Sequence, residues 1–175
     1  MRVLGIDLSL RATGLVLLPD GWIGPDGCDW SEVRYATIGE SLKIGASETA
    51  RIGRVDRLAI DIVHTARLWN PTHCVLEQYA FRADKQAYAR AELGGCVKRD
   101  LFNAGFAVDA VHSSTARKTL LGKLPRGKGV LKPTVQIRLR EMDAPFWRDD
   151  NQCDAFVVAN HWLSAHGAQF VGVAA

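Results

Sequence analysis

Three carboxylates stand where a chain seldom places a charge. Asp7 closes the apolar run Val3-Leu4-Gly5-Ile6, Glu77 closes Cys74-Val75-Leu76, and Asp154 is followed at once by Ala155-Phe156-Val157-Val158-Ala159. A carboxylate in apolar surroundings is costly unless a cation or a positive partner sits beside it. For each residue taken alone, a strand or helix end emerging into solvent is the plain alternative. Taken together, they suit a hard, oxygen-liking cation such as Mg²⁺ or Mn²⁺. Two such ions close together can activate a water and stabilise the leaving oxygen of a phosphodiester. On a helix, Asp150 and Asn151 lie four and three positions before Asp154 and share its face. Like charges at that spacing repel, so something should compensate Asp150 and Asp154.

Cationic residues gather in a different part of the chain. Arg117, Lys118, Lys123, Arg126, Lys128, Lys132, Arg138 and Arg140 fall between His112 and Arg140, with no Asp or Glu among them. Gly122, Gly127 and Gly129 make the centre of this run pliable. A solvated surface would account for it, and so would a polyanionic partner. The whole chain carries a net charge of only +3, so the clustering says more than the total.

The elements that must position these groups follow from periodicity. Val3 to Leu8 and Thr13 to Leu18 form an antiparallel hairpin, and Arg34 to Ile38 is a third strand. Apolar residues at Ile52, Val55, Ala59, Ile62, Ala66 and Trp69 mark a helix from Ser47, its N-cap, to Trp69, where Asn70-Pro71 stops it. His73 to Gln78 is a buried strand. Asp84 to Asn103 reads as helix despite Gly94-Gly95, and Phe106 to Val111 as strand. Ser114 to Leu121 reads as a short helix, Pro133 to Met142 as another, and Asp150 to Ala165 as the last. An α/β fold is expected, with a mixed five-stranded sheet, its first three strands antiparallel and its later ones entered by parallel crossovers, flanked by helices. The 175 residues are expected to form a single domain.

With 47% hydrophobic and 23% charged residues, the composition is that of an ordinary globular protein. Cys28, Cys74, Cys96 and Cys153 are scattered, with no C-x-x-C and no zinc-ligand spacing, as for reduced thiols. The first residues read as a strand rather than a secretory signal, and no apolar stretch is long enough to span a membrane. A cytoplasmic location, with the nucleoid or in a phage-infected host, is expected, with no membrane partner.

In register, the motifs resemble the RuvC-type Holliday-junction resolvases of the RNase H-like superfamily. Gly5-Ile6-Asp7 followed by Arg11-Ala12-Thr13-Gly14 is similar to that family's opening, and Leu76-Glu77-Gln78 to its second carboxylate segment. Cys153-Asp154-Ala155-Phe156-Val157-Val158-Ala159 resembles its last helix. Lys118-Thr119-Leu120-Leu121-Gly122 and Lys132 resemble its phosphate-contacting lysines around a glycine-containing loop. The resemblance implies an RNase H-like nuclease domain and a homodimer gripping four-way DNA junctions, which it resolves by paired, Mg²⁺-dependent hydrolysis. Its implied catalytic set is Asp7, Glu77, Asp150, Asp154 and Lys132, with metal held by Asp7, Glu77, Asp154, Asp150 and Asn151. DNA contacts would come from Arg11, Arg117, Lys118, Lys123, Arg126, Lys128 and Lys132.

The chain also departs from that pattern. Leu8-Ser9-Leu10 replaces the family's Pro-Gly-Ser, and Asn151 stands where bacterial members have the Asp three residues before the last, with Asp150 one residue earlier. Of these two candidates for the fourth ligand that the resemblance implies, Asp150 is favoured because it adds negative charge, with Asn151 as a neutral oxygen donor. The junction-opening aromatic falls at Ala80, so Tyr79 or Phe81 takes that role. These changes bear on junction and sequence preference, and other branched DNA, RNA or hybrids are alternative substrates. A phage-type or divergent member would look like this. Gly5-Ile6-Asp7 and Gly14 also resemble the first phosphate loop of sugar kinases and actin-like ATPases. The second phosphate loop and adenosine motif of that class are missing, so no nucleotide cofactor is expected.

Overall fold

The computed structural model describes residues 1–22, 24, 29–43, 45–78, 87–127 and 129–170. Its strands are β1 (Val3–Asp7), β2 (Thr13–Leu18), β3 (Arg34–Ile38), β4 (His73–Gln78) and β5 (Ala107–His112). They form one mixed sheet in the order β3-β2-β1-β4-β5. The β1–β2 and β2–β3 pairs are antiparallel, and β1–β4 and β4–β5 are parallel. This is the mixed architecture expected from the element order. Helices α1 (Glu48–Trp69), α2 (Ala87–Asn103), α3 (Ser113–Leu121), α4 (Leu131–Glu141) and α5 (Asp150–Phe170) flank it. Among the described residues no helix is long and apolar enough to cross a membrane.

Period-two alternation divides the core into two halves. Leu4, Ile6, Leu15, Leu17, Cys74 and Leu76 pack with the buried faces of α1 and α2. Val3, Val16, Leu18 and Val75 pack on the opposite face with α3, α4 and α5. With both faces covered, the inner strands β1 and β2 are buried nearly throughout. The parallel register pairs Ile6 with Leu76, so Asp7 and Glu77 follow side by side, on the α5 face.

Glycines set how closely α5 approaches that face. A Cβ added to Gly5 would overlap the carbonyl oxygen of Ala155, and one added to Gly14 would overlap the backbone of Asn151 and Gln152. Only bare backbone lets the first turns of α5 lie directly on β1 and β2. The start of α5 is tied to β3 as well. Asp149 Oδ1 accepts the backbone N–H groups of Asn151 and Gln152 at 3.0 and 3.3 Å, while Thr37 donates to Asp149 Oδ2 at 2.5 Å. Asp149 thus satisfies donors that the first turn cannot satisfy for itself. Burial pushes its carboxyl up, but the hydrogen bonds from Thr37, Gln152 and Asn151 together outweigh it and hold the group below the usual aspartate range.

Several local expectations shift. Ser47 caps α1 by accepting from Ala50 N at 3.2 Å, and Asn70 ends it in the left-handed conformation (φ 49°). The buried stripe of α1 takes in Leu58 and Val63, because both the sheet and α2 cover the helix, while Ile52 in its first turns is 54% exposed. Helix α4 starts two residues before Pro133, which is tolerated in a first turn whose N–H groups lack intrahelical acceptors. Strand β5 runs one residue later than expected and α5 continues to Phe170. The expected α2 start at residues 84–86 lies outside the described residues.

The two glycine environments make opposite predictions. Gly14→Ala forces α5 off the sheet and should destabilise by about 1–3 kcal/mol, the usual cost of overpacking. Gly95 lies within α2 with open space where a Cβ would be, so Gly95→Ala should stabilise by about 0.5–1 kcal/mol. Thermal unfolding should therefore move in opposite directions for the two variants, and a Gly14→Ala midpoint equal to wild type would show that α5 does not rest on this glycine.

Candidate metal centre and nucleic-acid interface

Asp7 and Glu77 come from adjacent parallel strand ends, and Asp154 from the second turn of α5, which the glycine floor brings down beside them. One carboxylate oxygen from each of the three lies within 4.8 Å of the others. They open into a cleft of about 980 Å³ at the end of the sheet, also lined by Arg11, Lys43, Arg51, Arg54, Arg90, Arg117, Lys132 and Asn151.

This placement perturbs the acids in a consistent way. Burial pushes the Asp7 carboxyl well above the ordinary aspartate range, and Glu77, which shares a hydrogen bond with it, and Asp154 push it further. Asp154, 4% exposed, is also raised by burial, and Arg117 partly offsets this. Arg117 donates from Nη2 and Nε to Asp154 Oδ1 at 2.8 and 3.2 Å. Burial alone would lower the guanidinium, but Asp154 and the neighbouring acids outweigh it and leave Arg117 raised. Lys132 Nζ lies 2.6 Å from Asp150 Oδ2 and 3.8 Å from Asp154 Oδ2. Its pKa is likewise raised, burial being outweighed by Asp150 and Asp154.

The donor set fits a hard divalent cation: three carboxylates, no sulfur and no imidazole, with like charges that a cation would relieve. Asp150 is not one of this group. Its carboxylate is engaged by Lys132, its side chain is 46% exposed, and it does not line the cleft. Asn151 does line it, and its side-chain amide donates to Asp149 Oδ1 at 3.3 Å. Helical geometry brings both residues near Asp154, but the pairing with Lys132 takes Asp150 to the rim.

Of the expected DNA contacts, Arg11, Arg117 and Lys132 line the cleft, whereas Lys118, Lys123 and Arg126 are exposed and lie outside it. Tyr79, Phe81 and Lys128 fall outside the described residues. Counting basic residues along the chain missed Lys43, from the segment before α1, and Arg51, Arg54 and Arg90, from α1 and α2 in the opposite helical layer, all of which line the cleft. Their only sequence signal was the spacing of Glu48, Arg51 and Arg54 on the polar side of α1. The intimacy of Arg117 with Asp154 had no sequence signal. His161, two turns beyond Asp154 on α5, bonds through Nδ1 to Thr119 Oγ1 at 2.6 Å.

A Thermus thermophilus structure described as RuvC in complex with Holliday junction substrate superposes with a TM-score of 0.70. It is 19% identical and covers 97% of this chain and 96% of its own. The fold is that of the RuvC resolvases. A second Thermus thermophilus RuvC structure gives a TM-score of 0.65 at 23% identity, covering 95% and 97% of the two chains. The Fowlpox virus resolvase, in a complex with substrate Holliday junction DNA, gives 0.56 at 9% identity, covering 94% and 98%. No protein-family model matches the chain, and no curated protein sequence does. The RuvC-like fold and its RNase H-like mixed sheet are thus carried by shape rather than by sequence identity.

The acid cluster has a consequence for stability. Because the folded-state pKa of Asp7 lies above its unfolded value, ionising it opposes folding above that raised pKa. In excess chelator at neutral pH, Asp7→Asn should therefore raise the unfolding midpoint, by roughly 2–4 °C per kcal/mol of repulsion and desolvation relieved. The gain should begin to fade as pH falls through the raised pKa and vanish only below the ordinary aspartate value, where Asp7 is neutral in the folded and the unfolded wild type alike. An unchanged or lower midpoint for Asp7→Asn at neutral pH would contradict this charge crowding.

Proposed function

We propose that the chain is a divalent-metal-dependent endonuclease that resolves four-way DNA junctions. The observation that carries this reading is the convergence of Asp7, Glu77 and Asp154 within 4.8 Å, in a cation-lined cleft on a RuvC-like fold. The Thermus thermophilus and Fowlpox virus structures, described as complexes with Holliday junctions, supply the substrate class.

In this reading Asp7, Glu77 and Asp154 hold Mg²⁺, for which Mn²⁺ substitutes, with two ions per site. When bound, the metal supplies a water made nucleophilic near neutral pH and charge stabilisation at the leaving oxygen. The chain's own cations do the rest. Lys132 and Arg117 lie against the acids, where they hold the phosphate group that the carboxylates alone would repel. Among the described residues each chain carries one such centre, so paired cuts on a junction call for two copies, and a symmetric homodimer is the simplest assembly. Asn151, on the cleft lining, serves as the neutral fourth oxygen donor, and Asp150 holds Lys132 in place.

A synthetic four-way junction with Mg²⁺, beside duplex, flap and RNA–DNA hybrid controls, tests the substrate. Asp7→Asn should abolish cleavage and leave junction binding largely intact, since the cationic surface remains. Full cleavage by Asp7→Asn, or by wild type in excess chelator, would sink the metal-nuclease reading. Preference for the hybrid or flap would keep the chemistry and replace the substrate.

The two candidate fourth ligands are ranked by position. Asn151→Ala should raise the Mg²⁺ concentration needed for half-maximal rate, because it removes an oxygen from the cleft. Asp150→Asn should change that concentration little. This ranking reverses the one that charge alone suggested, and a metal titration giving the opposite order would return the ligand role to Asp150.

A further inference from the structure

We infer that Arg54 on α1 binds a backbone phosphate of the nucleic-acid strand held over the carboxylates. It thereby forms a phosphate subsite on the side of the cleft away from Lys132 and Arg117. The inference rests on the nuclease reading above and adds a binding residue to it.

Arg54 lines the cleft with Asp7 and Glu77, and its Nε is a buried side-chain nitrogen with no hydrogen-bond partner. Buried donors are nearly always satisfied, and a guanidinium presents donors in a rigid fork that matches phosphate. Two acids on this side are already committed. Glu40, which senses the charge of Arg54, takes two hydrogen bonds from Arg57, at 2.6 and 3.1 Å. Glu48 lies 3.7 Å from Arg51. Among the described residues no ion pair joins Arg54 to an acid.

The topology gives this a direction. Arg117 and Lys132 enter the cleft from α3 and α4, in the layer of α5, and are engaged with Asp154 and Asp150. Arg54 enters from α1, in the layer across the sheet. A strand lying along the cleft over the carboxylates passes between the two layers. Contacts from one layer alone would leave it free to swing away from the acids, so a second anchor fixes its path. The contact is to backbone, so it contributes affinity and position without sequence preference.

The test measures equilibrium binding of the full chain to a four-way junction, a duplex and single-stranded DNA, in chelator, over a range of salt. Arg54→Ala should weaken binding on the order of tenfold and reduce the salt slope by about one unit, with an unchanged unfolding midpoint. Arg54→Lys should restore the slope while recovering only part of the affinity, because the charge returns without the buried Nε. Arg57→Ala, on the same helix but outside the cleft lining, should keep the wild-type slope. Wild-type affinity and slope in Arg54→Ala on all three DNAs would overturn the subsite. A salt-independent loss accompanied by a lowered midpoint would also overturn it, in favour of a packing role. An Arg54 effect on duplex or single strands without junction preference in wild type would overturn the junction reading alone.

Discussion

Everything at this site depends on how closely one helix can lie on two strands. Helix α5 carries Asp154, and it reaches Asp7 because Gly5 and Gly14 present bare backbone beneath its first turns. A side chain at either position would overlap main-chain atoms of the helix, which cannot rotate aside as a side-chain tip can. Asp149 and Thr37 secure the same end from β3, satisfying first-turn donors and tethering the helix start to the sheet. The geometry of the carboxylates is therefore a by-product of backbone packing, set before any acid touches another.

That packing creates an electrostatic problem that the cations address unevenly. Asp7 and Asp154 are both pushed upward by burial, and Asp7 has Glu77 beside it as well. Arg117 compensates Asp154 directly, and Lys132 spans Asp150 and Asp154. Asp7 is compensated less than Asp154, at the strand end where β1 and β4 meet in parallel register. A structural ion-pair network would balance its charges internally. This one leaves a residual negative focus at the centre of a cleft with cations around it, an arrangement suited to a bound cation and a passing phosphate.

The two helical layers contribute differently. Helices α3, α4 and α5 supply residues that touch the acids, while α1 and the segment before it supply cations that face the cleft without neutralising them. The acid-free run from His112 to Arg140 pointed to the first group and overstated it. Among the described residues of that run only Arg117 and Lys132 line the cleft, because α3 and α4 each expose several faces and only one side of each meets the carboxylates.

By itself the sequence determined the main elements, the mixed character of the sheet and the three acids, whereas the strand order came from the tertiary structure. Period-two runs ending in Asp7 and Glu77, a 3.6-residue stripe on α1 and the run after Asp154 are local patterns, and local burial periodicity needs no tertiary information to be read. The resemblance added the register that links them, and the RuvC-like shape agrees with it. The tertiary structure alone decided which cations face the acids and which partner Asp150 takes. A helix fixes which residues share a face but not what that face meets. Asp150 and Asn151 are equivalent in spacing arguments, yet the packing of α4 against α5 brings Lys132 to Asp150 and leaves Asn151 on the cleft. Arg54 was hidden for the same reason, since its importance comes from a cleft formed by residues distant in the chain.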